Sequence, residues 1–286
     1  MSNKPPILFL HGMWSRPWVW EPWQVLFEAA GYRTQALCFP GHEAAAGEAV
    51  PTGLGRLSVA DYVAAAMQSV RACDAPPIVI GHSMGGLVAQ MLAANMHDGT
   101  GEASVSPASK SPLAGASQHA ACTRLAAVVG VCAAAPGAVF PLRLAALPGT
   151  ARHFANPLLW RSAFKLSAWE AKYLLFNAMP AAQADACAAQ LVHESGRAAY
   201  QLAFGPLNLA GSNRVDKSRI RTPMLLLAGV QDRIVPIGAS RATARWYGPL
   251  AASREYPQHA HWPLAEPGYE SVVADVLAWL DGLALG

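Results

Sequence analysis

Cysteine is scarce in this chain. Cys38, Cys73, Cys122, Cys132 and Cys187 are the only five in 286 residues, and they are scattered. An odd number at irregular spacing fits reduced, mostly buried thiols and speaks against a disulfide framework or a thiolate metal cluster. Charge is also sparse, at 14% of residues with a net of +3 and no block of like sign. No stripe suited to a polyelectrolyte results, so nucleic acid is not expected as a partner. Long apolar runs are missing too, although 53% of residues are hydrophobic. The longest, from Leu125 to Phe140, is broken by Gly130, Pro136 and Gly137, so no membrane span is expected. Met1-Ser2-Asn3-Lys4-Pro5-Pro6 has no signal-peptide pattern, and a cytoplasmic protein is expected. No internal repeat is present.

What the chain does contain is Gly81-His82-Ser83-Met84-Gly85. The apolar run Pro77-Ile78-Val79-Ile80 precedes it, and Gly86 to Ala94, with a helical pattern, follows. A strand that turns sharply into a helix strains its central residue and crowds the positions two before and two after. Glycine at 81 and 85 therefore has a steric reason, and the Ser83 hydroxyl is held out over the sheet edge.

The rest of the chain alternates strand-like and helix-like stretches. Ile7 to Leu10 and Arg33 to Phe39 read as strands, with a helix ending at Gly31 between them. Leu57 to Cys73 reads as a helix, Leu125 to Cys132 and Pro223 to Gly229 as strands, Arg254 to Tyr256 as a short strand and Ser271 to Leu283 as an amphipathic helix. Alternation of this kind predicts an α/β fold with a mostly parallel central sheet flanked by helices. Two stretches depart from it. Residues 98–121 are rich in Gly, Ser, Ala and Pro and predict a flexible insertion. Residues 137–213 read as helical throughout, with capping-box spacing at Ser167 and Glu170 and Pro180 at a helix start. They predict a helical lid over a core made of residues 1–136 and 214–286.

A serine nucleophile needs a base, and the base an orienting acid. In a parallel sheet both should come from loops at the carboxyl ends of later strands. Asp232 follows the Pro223 to Gly229 strand, and His261 follows the Arg254 strand, with His259 as its rival. Asp232 could also simply cap its turn. A His-x-His pair could suggest metal, yet no carboxylate or cysteine cluster accompanies it, and no metal or cofactor is expected.

The chain order Ser83, Asp232, His261, together with the elbow, resembles the α/β-hydrolase family. His11-Gly12-Met13-Trp14 resembles its oxyanion loop, Phe39-Pro40-Gly41-His42 its turn after the next strand, Gly229 to Pro236 its acid turn and His261 to Pro267 its histidine loop. The resemblance implies an α/β-hydrolase fold with Ser83 as nucleophile, His261 as base and Asp232 as its orienting acid. It also implies oxyanion donors from the main chain of Met84 and of Met13 or Trp14. A helix start is a favourable place for such a donor. His11 is expected to hold the oxyanion loop and His82 to be a wall or packing residue of the pocket. Trp14, at the edge of a cluster with Trp18, Trp20 and Trp23, is expected to face the substrate, and Trp160, Trp169 and Tyr173 of the lid are expected to contact it. The implied activity is a cofactor-independent serine esterase acting on a small, largely apolar substrate. Lactone hydrolysis, carbon-carbon bond hydrolysis and a small-molecule receptor on the same fold remain open, as does oligomeric state. Serine at the elbow argues against haloalkane dehalogenase and epoxide hydrolase chemistry, which the family performs with aspartate there.

Overall fold

A computed structural model describes residues 4–96, 122–139, 144–204, 211–283 and 285. The insertion expected over residues 98–121 lies outside the described residues. Strands β1 (Ile7–Leu10), β2 (Thr34–Leu37), β3 (Ile78–His82), β4 (Ala127–Val131), β7 (Met224–Gly229) and β8 (Ala251–Tyr256) form one sheet in the order β2-β1-β3-β4-β7-β8. Every pairing in it is parallel. β1, β3, β4 and β7 are buried at every position, whereas β2 and β8 are partly exposed edges. A strand covered on both faces has no polar side to alternate with, which is why the central four read as unbroken apolar runs.

Helices α1 (Glu21–Ala29), α2 (Val59–Arg71), α3 (Met84–Asn95), α8 (Ile237–Tyr247) and α9 (Tyr269–Gly282) flank the sheet. Ser58 and Asp61 cap the start of α2 reciprocally, each side chain accepting the other's main-chain N–H. Ala30 caps the end of α1, and Gly31 follows in the left-handed region at φ 86°. α3 is buried from Met84 to Ala94 and exposed only at its last residue, Asn95, as expected of a helix apolar on nearly all sides. Trp20 and Trp23, both fully buried, pack with Phe9 and Phe27 to seal α1 onto the sheet.

Between β4 and β7 lie α4 (Leu147–Phe154), α5 (Ala168–Leu174), α6 (Ala181–Gln190) and α7 (Gly196–Ala203). The capping box expected at Ser167 and Glu170 starts α5, and Pro180 immediately precedes α6. The stretch is not helical throughout. β5 (Ala163–Phe164) and β6 (Glu194–Ser195) pair as a two-residue antiparallel ladder, tying the turn before α5 to the turn after α6. Such a ladder joins residues about thirty apart, and local periodicity carries no sign of it. No helix of the described residues is long and apolar enough to cross a membrane.

Candidate active site

Because all six strands run the same way, the loops that leave β1, β3, β4, β7 and β8 gather at one edge of the sheet. Ser83 stands there at the β3–α3 junction, with φ 52° and ψ −115°. That left-handed conformation is held from four directions. The Ser83 N–H donates to Val131 O at 3.0 Å, and its carbonyl accepts from Gly86, Leu87 and Ala134. A Cβ on Gly81 would strike the Gly85 main chain, and one on Gly85 would strike the carbonyls of Leu10 and His11. The glycines of the elbow are thus required by close approach of backbone to backbone.

Asp232, in the loop after β7, divides its carboxylate between two tasks. Oδ1 accepts the N–H groups of Ile234 and Val235, both at 2.8 Å, and Oδ2 accepts from His261 Nδ1 at 2.7 Å. It both caps its own turn and fixes the imidazole, leaving His261 Nε2 as the unprotonated nitrogen. The His261 carbonyl is anchored beside the elbow, accepting from His82 Nε2 at 2.8 Å. His259, the rival histidine, turns to Glu266 instead, at 3.0 Å. Glu266 is fully buried and also accepts the N–H groups of Ala260 and Trp262, so one carboxylate grips the main chain on both sides of His261. Among the described residues the Ser83 hydroxyl has no hydrogen-bond partner.

The loop after β1 closes over Ser83. A Cβ on Gly12 would lie 2.8 Å from His82 Nδ1 and 3.0 Å from Ser83 Cβ. His11 holds this loop, as expected. Its Nε2 accepts the Phe39 N–H, so its proton is on Nδ1, which donates to Gly12 O at 2.9 Å. Burial, helped by nearby His42, pushes the His11 pKa well below the usual value and keeps the ring neutral. The main-chain N–H groups of Met13 and Met84 have no partner among the described residues. The Trp14 N–H, by contrast, is already given to Glu194 Oε2.

Ser83 opens onto a cavity of about 270 Å³ whose walls are mostly apolar. Trp14 and Met13 line it from the β1 loop, Phe154 from α4, Phe164 from β5, Leu202 from α7 and Ile234 from the Asp232 turn. Among the described residues His153 is the one ionisable side chain in the lining. It is pinned to Glu170 at 3.3 Å, and Glu170 also binds Arg152. Trp14 is therefore at the cavity, but the other aromatic residues expected there are not. Trp160 is exposed and stacks under Arg161, while Trp169 lies flat against Tyr173 on the outer surface. His82 is fully buried beneath Gly12 and packs on Trp262, which makes it a support of the loop instead of a wall of the cavity.

Two neighbours of the site carry no sequence signal. Glu194 is one. Cys132 is the other, in the left-handed region at φ 44° and with its thiol 3.4 Å from Ala260 O. Sγ of Cys132, an Asp232 oxygen and a His261 nitrogen lie within 4.8 Å of one another. Burial and then Asp232 push the thiol pKa well up, so the cluster is a protonated thiol beside a hydrogen-bonded carboxylate–imidazole pair.

A parallel α/β sheet with a serine at a strand-to-helix elbow and a histidine–aspartate pair on later loops defines the class of α/β-hydrolase folds. The chain belongs to the alpha/beta hydrolase family, whose profile it matches over residues 7–274. A comparison with curated protein sequences gave no match. Among solved structures it is similar to a monoacylglycerol lipase from Paleococcus ferrophilus, at 18% identity and a TM-score of 0.66, over 98% of this chain and 96% of that one. A methylesterase from Arabidopsis (13%, 0.65, 97% and 99%) and a pyrethroid hydrolase from Sphingobium faniae (17%, 0.63, 97% and 97%) are similar in the same way. At these identities the likeness is one of fold.

Proposed function

We propose that this family member is a serine hydrolase that cleaves the ester bond of a small, largely apolar substrate through Ser83, His261 and Asp232. The observation that carries the reading is the 2.7 Å Asp232–His261 pair, tethered through His82 to the elbow that presents Ser83 to an apolar cavity. In the first half-reaction Ser83 Oγ attacks the ester carbonyl carbon while its proton passes to His261 Nε2. The charge that develops on the carbonyl oxygen meets the N–H groups of Met13 and Met84. The carbon–oxygen bond to the alcohol then breaks, His261 returns the proton to the departing oxygen, and an acyl-enzyme remains. In the second, water gives a proton to His261 and attacks the acyl carbon. The carboxylic acid leaves as Ser83 recovers its proton.

The helical segment from α4 to α7 serves in this reading as the lid, since α4 and α7 supply much of the cavity wall. The wall selects for apolar acyl or alcohol groups, because an unpaired charge buried there would carry a large desolvation cost.

The test is labelling with a fluorophosphonate, followed by intact mass, alongside turnover of p-nitrophenyl esters. Stoichiometric labelling and ester turnover that both vanish in Ser83→Ala support the proposal. Ester turnover unchanged in Ser83→Ala overturns it.

A further inference from the structure

Trp14 is a bulky residue at φ 60°, a strained conformation that persists only where its surroundings impose it. What imposes it is the turn between α6 and α7. The Trp14 carbonyl accepts the Val192 N–H at 2.8 Å, and its N–H donates to Glu194 Oε2 at 3.4 Å. Glu194 is the hub of a buried polar cluster. Oε2 also meets His42 Nε2 at 3.1 Å, and Oε1 accepts from Tyr62 OH at 2.7 Å and from the Ser195 N–H at 2.6 Å. The side chains of Glu194 and His42 are wholly shielded from solvent. Burial works against a charged His42, but the Glu194 carboxylate outweighs it and raises the His42 pKa. The cluster joins four separate parts of the chain: the β1 loop, the turn after β2, α2 and the segment that forms the cavity wall.

Resting on the hydrolase reading above, we infer that Glu194 is a positioning residue for the oxyanion loop. Its carboxylate clamps Trp14 in the left-handed conformation and so sets the Met13 N–H, one residue earlier, that would meet the developing oxyanion. Because Glu194 lies two residues before α7, next to its N-cap Ser195, and Ala199 and Leu202 of α7 line the cavity, the same carboxylate links the cavity wall to the oxyanion loop. The substrate itself does not touch Glu194, so the effect belongs to the transition state and not to ground-state affinity.

Glu194→Gln keeps the size but replaces one acceptor oxygen with an NH2, which faces either the Tyr62 hydroxyl or the His42 and Trp14 donors. Tyr62→Phe removes a single donor and serves as the milder companion should the first variant not fold. Three quantities are read in wild type and both variants: kcat and KM on a p-nitrophenyl ester, the inhibition constant of an alkyl boronic acid whose tetrahedral adduct needs the same donors, and hydrogen exchange over residues 12–15. Glu194→Gln is expected to lower kcat about 10- to 100-fold with KM within about twofold. The boronic acid should weaken in parallel, and residues 12–15 should exchange faster while the central strands keep their protection. Tyr62→Phe should move all three in the same direction by less. Wild-type kcat and boronic acid affinity in a folded Glu194→Gln, or, if it does not fold, in Tyr62→Phe, would overturn the inference. So would a loss accompanied by faster exchange throughout the sheet, which marks a merely structural role. Failure of the hydrolase reading is separable. It shows as a wild-type protein that neither turns over esters nor takes the fluorophosphonate, and exchange at residues 12–15 then decides the clamp alone, unchanged protection in the variants overturning it.

Discussion

Asp232 Oδ2 lies 2.7 Å from His261 Nδ1, in a hydrogen bond that is buried on both sides and spans 29 residues of sequence. The other carboxylate oxygen is committed to two main-chain donors of its own turn, so Asp232 cannot rotate away without breaking three bonds at once. Asp232→Asn keeps the shape but offers an amide. The NH2 or the oxygen must face His261, and the backbone donors hold the oxygen. The imidazole would then be forced to present a bare Nδ1 to the amide and its proton to Ser83, the wrong tautomer for a base. Under the proposed mechanism kcat should fall about 10⁴-fold with little change in melting temperature. Steady-state turnover of a p-nitrophenyl ester and a thermal melt check both halves.

Gly12→Ala probes the loop from the other side. The added methyl would sit 2.8 Å from His82 Nδ1 and 3.0 Å from Ser83 Cβ, inside van der Waals contact with two groups that are themselves anchored. The loop must retreat, taking the Met13 N–H with it. Loss of one oxyanion donor costs about 10²-fold or more in turnover, and the rate of fluorophosphonate labelling should fall with it. A variant that labels at the wild-type rate would show that the Met13 N–H is not part of the site.

Much of this was legible in the residues. The four central strands are covered on both faces, so their runs are continuously apolar and stand out. The elbow stands out because glycine is sterically required on either side of Ser83. Asp232 and His261 follow strands of a parallel sheet, and that topology alone brings their loops to Ser83. Glu194 was not legible for the opposite reason. Its partners Tyr62, His42 and Trp14 are 132, 152 and 180 residues away, and a single glutamate in Leu191-Val192-His193-Glu194-Ser195 reads as an ordinary surface residue. Trp160 and Trp169 misled because an aromatic residue on a short helix announces apolar area but not the face it occupies. Each found a neighbouring side chain to stack on at the surface, Arg161 for one and Tyr173 for the other.

The size of the cavity makes a prediction about chain length. Each methylene buried against an apolar wall contributes about 0.8 kcal/mol, or roughly a fourfold gain in kcat/KM. Activity on p-nitrophenyl esters should climb by about that factor per carbon until the cavity is filled, then level or fall. Ala199 on α7 lines the cavity and is 4% exposed. Ala199→Phe places a ring in that space, so the optimum should move to shorter chains while the shortest ester is hydrolysed nearly as before. An unchanged chain-length profile in the variant would place the acyl group elsewhere.

Glu170 gives a prediction about pH. Its carboxylate is buried at the start of α5, where it accepts from Arg152, His153 and the Ser167 N–H. Burial alone would raise its pKa, but the hydrogen bonds from Arg152, Ser167 and His153 outweigh burial and lower it to about 2 from an ordinary value of 4.5. A carboxylate whose pKa is lower in the folded protein than in the unfolded chain binds fewer protons when folded. It therefore adds stability that is complete above the unfolded value and disappears as pH falls through the folded one. The stabilisation from Glu170 should be full above about pH 5 and should drain away between pH 4.5 and about 2. Other carboxylates titrate over the same range, so the useful quantity is the difference between wild type and Glu170→Gln in urea midpoint. That difference should favour wild type at pH 7 and narrow steadily below pH 4.5. A difference that stayed constant down to pH 3 would mean that Glu170 holds α4 to α5 by shape and neutral hydrogen bonding, and not as the ion that Arg152 and His153 surround.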